Sequence, residues 1–148
     1  KGRFKMSKFA RFMKANKKIK ENVFYAATKS LCDENGQPLP WEFRHISTAQ
    51  AEAIREDCMK DVPVLGKPGM YRPKLKTSEY LRQMITASVV EPDLFDRELQ
   101  DSYGVATPED LLLAMVDEPG EYNALAAFVQ KFQGFNISFE DKVEEAKN

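Results

Sequence analysis

The period of the apolar positions changes along the chain, and each change predicts an element. Phe9, Phe12, Met13 and Asn16 fall at i, i+3, i+4 and i+7, with Lys8, Arg11, Lys14, Lys17 and Lys18 mostly around the other side. That spacing predicts a short amphipathic helix over residues 7–18. Three apolar side chains cannot hold such a helix alone, so it must dock. Its own domain, a partner's groove gripped by Phe9, Phe12 and Met13, and an anionic surface are the three candidates. Residues 23–32 and 39–46 then read as two strands joined through Asn35-Gly36, the strongest short hairpin signal. With that pair at the centre of a type I′ turn, Lys29 falls opposite Glu42. Phe24, Ala26, Thr28 and Cys32 share the core face with Leu39, Trp41, Phe43 and His45. Pro38 and Pro40 donate no ladder bond and mark an edge at the start of the second strand. A ribbon of two strands needs a cover, which helices must supply.

Helical signals follow. Ser47-Thr48-Ala49-Gln50 fits a capping box, opening a helix to about Lys60 with Ala51, Ile54 and Cys58 inward. Residues 61–75 hold Pro63, Gly66, Pro68, Gly69 and Pro73, a density of breakers that predicts an extended loop. A helix over 77–90 carries Leu81, Met84, Ile85 and Ser88 on one stripe, and another over 94–103 stops at Gly104. Thr107-Pro108-Glu109-Asp110 combines a cap, a first-position proline and acids in the first turn; the helix it opens carries Leu111, Leu112 and Met115 and ends near Asp117. The last helix starts at Pro119-Gly120-Glu121, buries Tyr122, Leu125, Val129 and Phe132, and ends before Gly134. The predicted fold is α+β and mostly α: one N-terminal β-hairpin packed against a bundle of about five helices. A basic arm (1–20) precedes the single globular domain (21–136), and a mobile charged tail (137–148) follows it.

Composition narrows the class. A chain of 148 residues with 43% hydrophobic positions suits one globular domain. Its longest apolar run, Leu111 to Val116, is far short of the roughly 20 residues that span a membrane. The basic start has no apolar region behind it, so no signal peptide is expected, and without secretion the sequon Asn136-Ile137-Ser138 carries no weight. The chain opens with Lys1 and its first Met is Met6; residues 1–5 are left out of the fold reading. Cys32, Cys58 and the single His45 are too few and too scattered for a zinc site; the two cysteines could form one disulfide but are expected as buried thiols, with no metal and a packed histidine. Gly66-Lys67 lacks both the glycine five positions earlier and the following Ser/Thr of a phosphate loop. No nucleophile elbow, Cys/His pair, metalloprotease helix, calcium loop or dinucleotide fingerprint is present. The carboxylates sit in helix first turns and solvated runs, where capping explains them. The expectation is a binding protein, not an enzyme, with no cofactor.

Net charge is −1, yet it is unevenly spread. Residues 1–20 carry nine Lys/Arg and no acid; residues 91–148 carry four basic and 14 acidic side chains; the middle balances. Such a polar chain can pair head to tail with copies of itself, present a basic arm to nucleic acid, or simply hold two solvated faces.

Asn22-Val23-Phe24-Tyr25-Ala26, Trp41-Glu42-Phe43-Arg44, Val62-Pro63-Val64, Glu98-Leu99-Gln100-Asp101-Ser102-Tyr103-Gly104 and Pro119-Gly120-Glu121-Tyr122, in this order, resemble the XkdN-like tail assembly chaperones of contractile-tailed phages, defective prophages and phage-tail-like bacteriocins. The resemblance spans roughly residues 7–136, and its specificity lies in the ordered set, not in any single motif. It implies a non-enzymatic assembly factor in the host bacterial cytoplasm. Its partners would be the tape-measure protein, a long helical ruler, and the tail-tube protein as a second. It carries over no catalytic residue. A coat on a long amphipathic helix must offer apolar grooves repeatedly, and many weak contacts give avidity that tube subunits can displace stepwise. A homo-oligomer, ring or spiral, stacked by charge, is the expected form. Phe9, Phe12, Met13, Lys14, Lys17 and Lys18 are the expected partner and oligomer contacts, with the hairpin as a further contact. Two rivals stand: a nucleic-acid-binding accessory protein using the arm, which the acidic last third opposes, and a structural tail component retained in the particle.

Overall fold

The computed structural model describes residues 7–135; the opening segment 1–5, the sequon and the tail 137–148 lie outside them. Two 3₁₀ turns, Ala10–Phe12 and Lys14–Asn16, open the described chain. There follow β1 (Val23–Tyr25), β2 (Trp41–Phe43), α1 (Thr48–Asp57), β3 (Met59–Pro63), β4 (Tyr71–Leu75), α2 (Thr77–Ser88), β5 (Val89–Glu91), α3 (Arg97–Ser102), α4 (Pro108–Met115) and α5 (Pro119–Phe132). The fold is α+β, with five α-helices and two small antiparallel sheets, β1-β2-β5 and β3-β4, among the described residues.

The core forms where the predicted apolar stripes converge. Trp41 and Phe43 on the central strand β2 meet Met84 and Ile85 of α2, Leu111 and Leu112 of α4, and Leu125 and Val129 of α5, all buried in one cluster. Tyr25 of β1 stacks on Phe128 of α5 at 4.2 Å between centroids, and Phe43 meets the same ring edge-on at 5.3 Å. The helix starts are capped as their sequences require. Ser47 Oγ accepts from Gln50 N while Gln50 Oε1 accepts from Ser47 N. Thr107 Oγ1 accepts from Asp110 N, with Pro108 in the first turn, and Asp96 Oδ2 accepts from Leu99 N. Gly104 and Gly134 hold positive φ (68° and 98°) just past α3 and α5.

Three expectations are corrected. First, residues 7–18 do not form a helix. Met13, at φ −69° and ψ 154°, is extended and separates the two 3₁₀ turns, none of whose residues is buried. Without a docking face the stripe lacks the packing that would stabilise a helix. Second, the hairpin register differs. Phe24, not Lys29, faces Glu42, an odd displacement that turns Phe24 outward and Tyr25 inward. Its cause lies in the turn. Asp33 Oδ1 accepts from Asn35 N and Gln37 N, and Gly36 alone takes positive φ (80°). The result is an Asx-stabilised turn instead of type I′. Beyond the isolated Cys32–Pro38 bridge the ladder stops, and residues 26–30 leave the sheet. Ala27 and Thr28 are buried there, while Ala26, Cys32 and Leu39 are exposed. Third, residues 61–75 are not a loop. Together with Met59 and Lys60 they form the β3–β4 hairpin, and the helix expected to reach Val90 yields its end to β5, which pairs with β2. The breakers sit where a hairpin tolerates them: Gly66 and Gly69 take positive φ in the connection, and Pro63 and Pro73 occupy a two-stranded sheet in which every strand is an edge.

Two polar clusters tie the layers together. Gln133, beyond α5, accepts from Ile46 N at 3.1 Å and donates to Arg44 O and Ser88 Oγ at 2.9 and 2.8 Å. The strand end, α2 and α5 are thereby joined. Thr28 Oγ1 donates to Glu121 Oε1 at 2.6 Å, and Lys29 N donates to Glu121 Oε2 at 2.8 Å. The chain leaving β1 is thus fastened to the first turn of α5.

Candidate partner-binding surfaces

The arm places its apolar side chains in solvent. Phe9, Phe12 and Met13 expose 59%, 84% and 50% of their surface, and Ile19 is exposed as well. The two phenyl rings meet edge-on at 6.3 Å, with Lys8 Nζ 5.7 Å from the Phe9 ring centre. Asn16 Nδ2 donates to Ala10 O at 2.7 Å, closing the two turns into one knot. Lys14, Lys17 and Lys18 are exposed. The structure brings Phe9 and Phe12 together, while Lys17 and Lys18 line a shallow groove of about 410 Å³ with Lys20, Arg44 and His45 at the start of α1. This basic groove belongs to the arm's second half and is separate from the aromatic pair.

Sequence reasoning missed a further exposed feature. The β3–β4 hairpin carries Leu65, which is 97% exposed, together with exposed Met70 and Tyr71 at its end. Lys60, Lys74 and Lys76 frame a groove of about 450 Å³ at its base, floored by Val62 and Leu75. The signal was slight, the β-branched Val62 and Val64 between polar Lys60-Asp61 and the breakers that follow, and the proline and glycine content masked it.

His45 is a packed residue, as its sequence context predicts: its ring lies 4.0 Å from that of Phe132. Burial, aided by the charge of Lys20, holds its pKa below the usual histidine value. Both cysteines are free thiols. Cys58 is buried, and burial pushes its thiol pKa up; Cys32 is exposed, contrary to the expected buried thiol, because the chain has left the sheet there. Among the described residues no cluster of histidine, cysteine or carboxylate side chains has metal-binding geometry, and no helix is long and apolar enough to cross a membrane.

A small α+β body with protruding apolar segments has the kind of surface that other polypeptides can cover. Comparison with known proteins makes the class specific. The profile of the Phage XkdN-like tail assembly chaperone family matches residues 9–147, and the chain belongs to that family. The phage-like element PBSX protein XkdN of Bacillus subtilis strain 168 is 23% identical over 128 residues, covering 86% of this chain and 85% of its own length. The uncharacterised protein YqbN of the same strain matches with the same identity and coverage. The crystal structure of YqbN has the same fold: its TM-score is 0.71 at 18% identity, over 89% of this chain and all of that one.

Proposed function

We propose that this chain binds the tape-measure protein in many copies during tail assembly, with the tail-tube protein as a second partner, and that it works without catalysis in the host cytoplasm. The observation that carries the reading is the apolar surface left in water by the arm. Phe9, Phe12 and Met13 lie together on a segment with no buried residue, where a monomer gains nothing by keeping them. A long amphipathic ruler needs such surface to cover its own stripe, and membership of a tail assembly chaperone family supports a partner of this kind. The hairpin residues Leu65, Met70 and Tyr71 offer a further apolar contact of the same kind.

The charge distribution supports assembly of copies into a ring or spiral. Lys14, Lys17 and Lys18 of one copy face the acids of the last third of the next, from Glu91 to Glu121 among the described residues. Co-expression with the tape-measure protein and affinity capture tests the reading. The tape-measure protein is recovered soluble with this chain, and Phe9→Ser with Phe12→Ser lowers the recovery at least tenfold. Recovery that is equal with and without the two phenylalanines removes the arm from the reading, and failure to recover the tape-measure protein at all removes the reading itself. A salt-dependent shift of labelled DNA in its place favours the nucleic-acid use of the arm.

A further inference from the structure

A cavity of about 150 Å³ lies between α2 and α5, away from both protruding segments. Leu81, Ala126 and Ala127 give it an apolar lining, and Arg82, Tyr122 and Asn123 bring polar groups to it. Arg82 is the anomaly. Its Nε is buried and has no hydrogen-bond acceptor among the described residues. The Tyr122 hydroxyl beside it is a neutral neighbour, its pKa raised by burial and held back by the Arg82 charge, and no described carboxylate lies within ion-pair distance of Arg82. Glu79, one turn earlier on α2, is turned instead to Lys76 at 3.9 Å. A charged N–H removed from water without an acceptor is among the costlier features a fold can keep; the half-buried guanidinium as a whole stands at the cavity wall, where one carboxylate can pair with it.

We propose that this groove receives one glutamate side chain of the helical client, its carboxylate on Arg82 and its methylenes on Leu81 and the two alanines. The proposal rests on the client reading above and names the chemistry of a second point of contact. Size selects the ligand. A cavity of about 150 Å³ is well below the roughly 300–1,000 Å³ of sites that enclose a small molecule, yet it suits one acidic side chain. The flanking residues select a polypeptide: Ala126 and Ala127 let a helix backbone approach α5 closely, and arginine and tyrosine are the side chains that anchor protein interfaces. Asn123 adds an amide donor at the rim for the second carboxylate oxygen.

The test follows the Arg82 Nε–Hε resonance of the full chain by two-dimensional NMR. The titrants are an amidated alanine-based helical peptide with one glutamate, the same peptide with glutamine, and inorganic phosphate. The glutamate peptide shifts the Arg82 signal and the Ala126 and Ala127 amides saturably. The glutamine peptide acts at least tenfold more weakly, Arg82→Met abolishes the response, and Arg82→Lys retains a weakened one. Circular dichroism shows both variants folded. Equal response to the two peptides, or a response that survives in Arg82→Met, overturns the proposal. A response to phosphate alone marks the groove as a place for an adventitious ion only and also overturns it. A dependence of the Arg82 signal on protein concentration without peptide assigns the groove to a second copy instead of the client. Glutamate binding with failed capture of the tape-measure protein removes only the client reading; undiminished capture by Arg82→Met with no peptide response removes only the groove.

Discussion

The body of the molecule and its protruding segments treat the same residue types in opposite ways. In the body, Trp41, Phe43, Leu111 and Leu125 are withdrawn from water, and the polar groups around them, Gln133 and Thr28, are matched to partners. In the arm and the β3–β4 hairpin, phenylalanine, methionine, leucine and tyrosine stand in solvent, and their hydrogen bonds are local: Asn16 to Ala10 in one case, the β3–β4 ladder in the other. Buried apolar area stabilises a fold in proportion to the surface removed from water. The protruding segments therefore add little to folding, and on the proposed reading what keeps large apolar side chains there is contact with another polypeptide. On that reading stability and function sit in separable parts of this chain.

The sharpest way to break that separation is in the body. Trp41→Ala or Leu125→Ala leaves a cavity at the junction of the sheet with α2 and α5. Either costs about 3–5 kcal/mol, enough to consume much of a small domain's stability. Urea unfolding followed by circular dichroism shows the loss as a fall in midpoint at unchanged slope. A loss below about 1 kcal/mol at either position would mean that the body is not the packed unit described.

Why the body was legible in the sequence and the protrusions were not follows from the same difference. The stripe Leu81, Met84, Ile85 and Ser88 predicts α2 because the side chains that set the period are those that pack, and all four are buried. The capping box at Ser47 and the Thr107-Pro108 start are equally local, each satisfied within one helical turn. The arm shows the reverse. Phe9, Phe12 and Met13 have helical spacing but nothing in the chain to pack on, so the period carried no helix. The hairpin register failed for a third reason. Asn35-Gly36 predicts a turn type from two residues, whereas Asp33, two positions earlier, captures the backbone and decides the geometry. Thr28 then binds Glu121, far along the chain, and draws the strand out of the ladder. No pattern within one strand can announce such a partner. The meeting of Phe9 with Phe12 was legible from their spacing, while the end of the β3–β4 hairpin and the Arg82 groove depend on tertiary placement.

A second, smaller effect sharpens the boundary of the body. α1 contains no buried residue between Thr48 and Asp57 and leans on its cap and on half-buried Ala51 and Ile54. Ser47→Ala removes the acceptor for Gln50 N and costs about 0.5–2 kcal/mol. Hydrogen exchange sharpens the reading: amides of α1 exchange faster in the variant while those of α5 keep their protection. Uniform acceleration in both helices would place α1 inside the cooperative core.

The link between the sheet and α5 gives a pH-dependent effect. Hydrogen bonds from Thr28 and then Lys29 N hold the Glu121 carboxyl below its ordinary pKa of 4.5. A carboxyl depressed in the folded state contributes stability that is full above its unfolded pKa and is lost as pH falls through the folded value. The wild type therefore loses stability on acidification below about pH 4.5, and Glu121→Gln flattens part of that slope by lowering stability at neutral pH, where the carboxylate's contribution is full. Parallel acid profiles for the two proteins, recorded by thermal melting at low salt, would remove Glu121 as the clasp.

The smallest expected effect on folding is also the most informative for the comparison. Phe9→Ser with Phe12→Ser alters side chains that are 59% and 84% exposed and that touch chiefly each other. Their replacement changes unfolding free energy within about ±0.5 kcal/mol, the ordinary range for surface positions. Lys14→Glu, Lys17→Glu and Lys18→Glu together fall in the same range for folding. In light scattering, however, they shift the assembled protein toward monomer, because the arm then repels the acidic last third of the next copy. Folding held constant while assembly collapses is the signature of a surface kept for partners. Should the mass stay unchanged in the triple variant, charge stacking is removed and the arm is left to the client alone. Should melting fall in step with assembly, the arm belongs to the body after all, and the division of labour between the two regions fails.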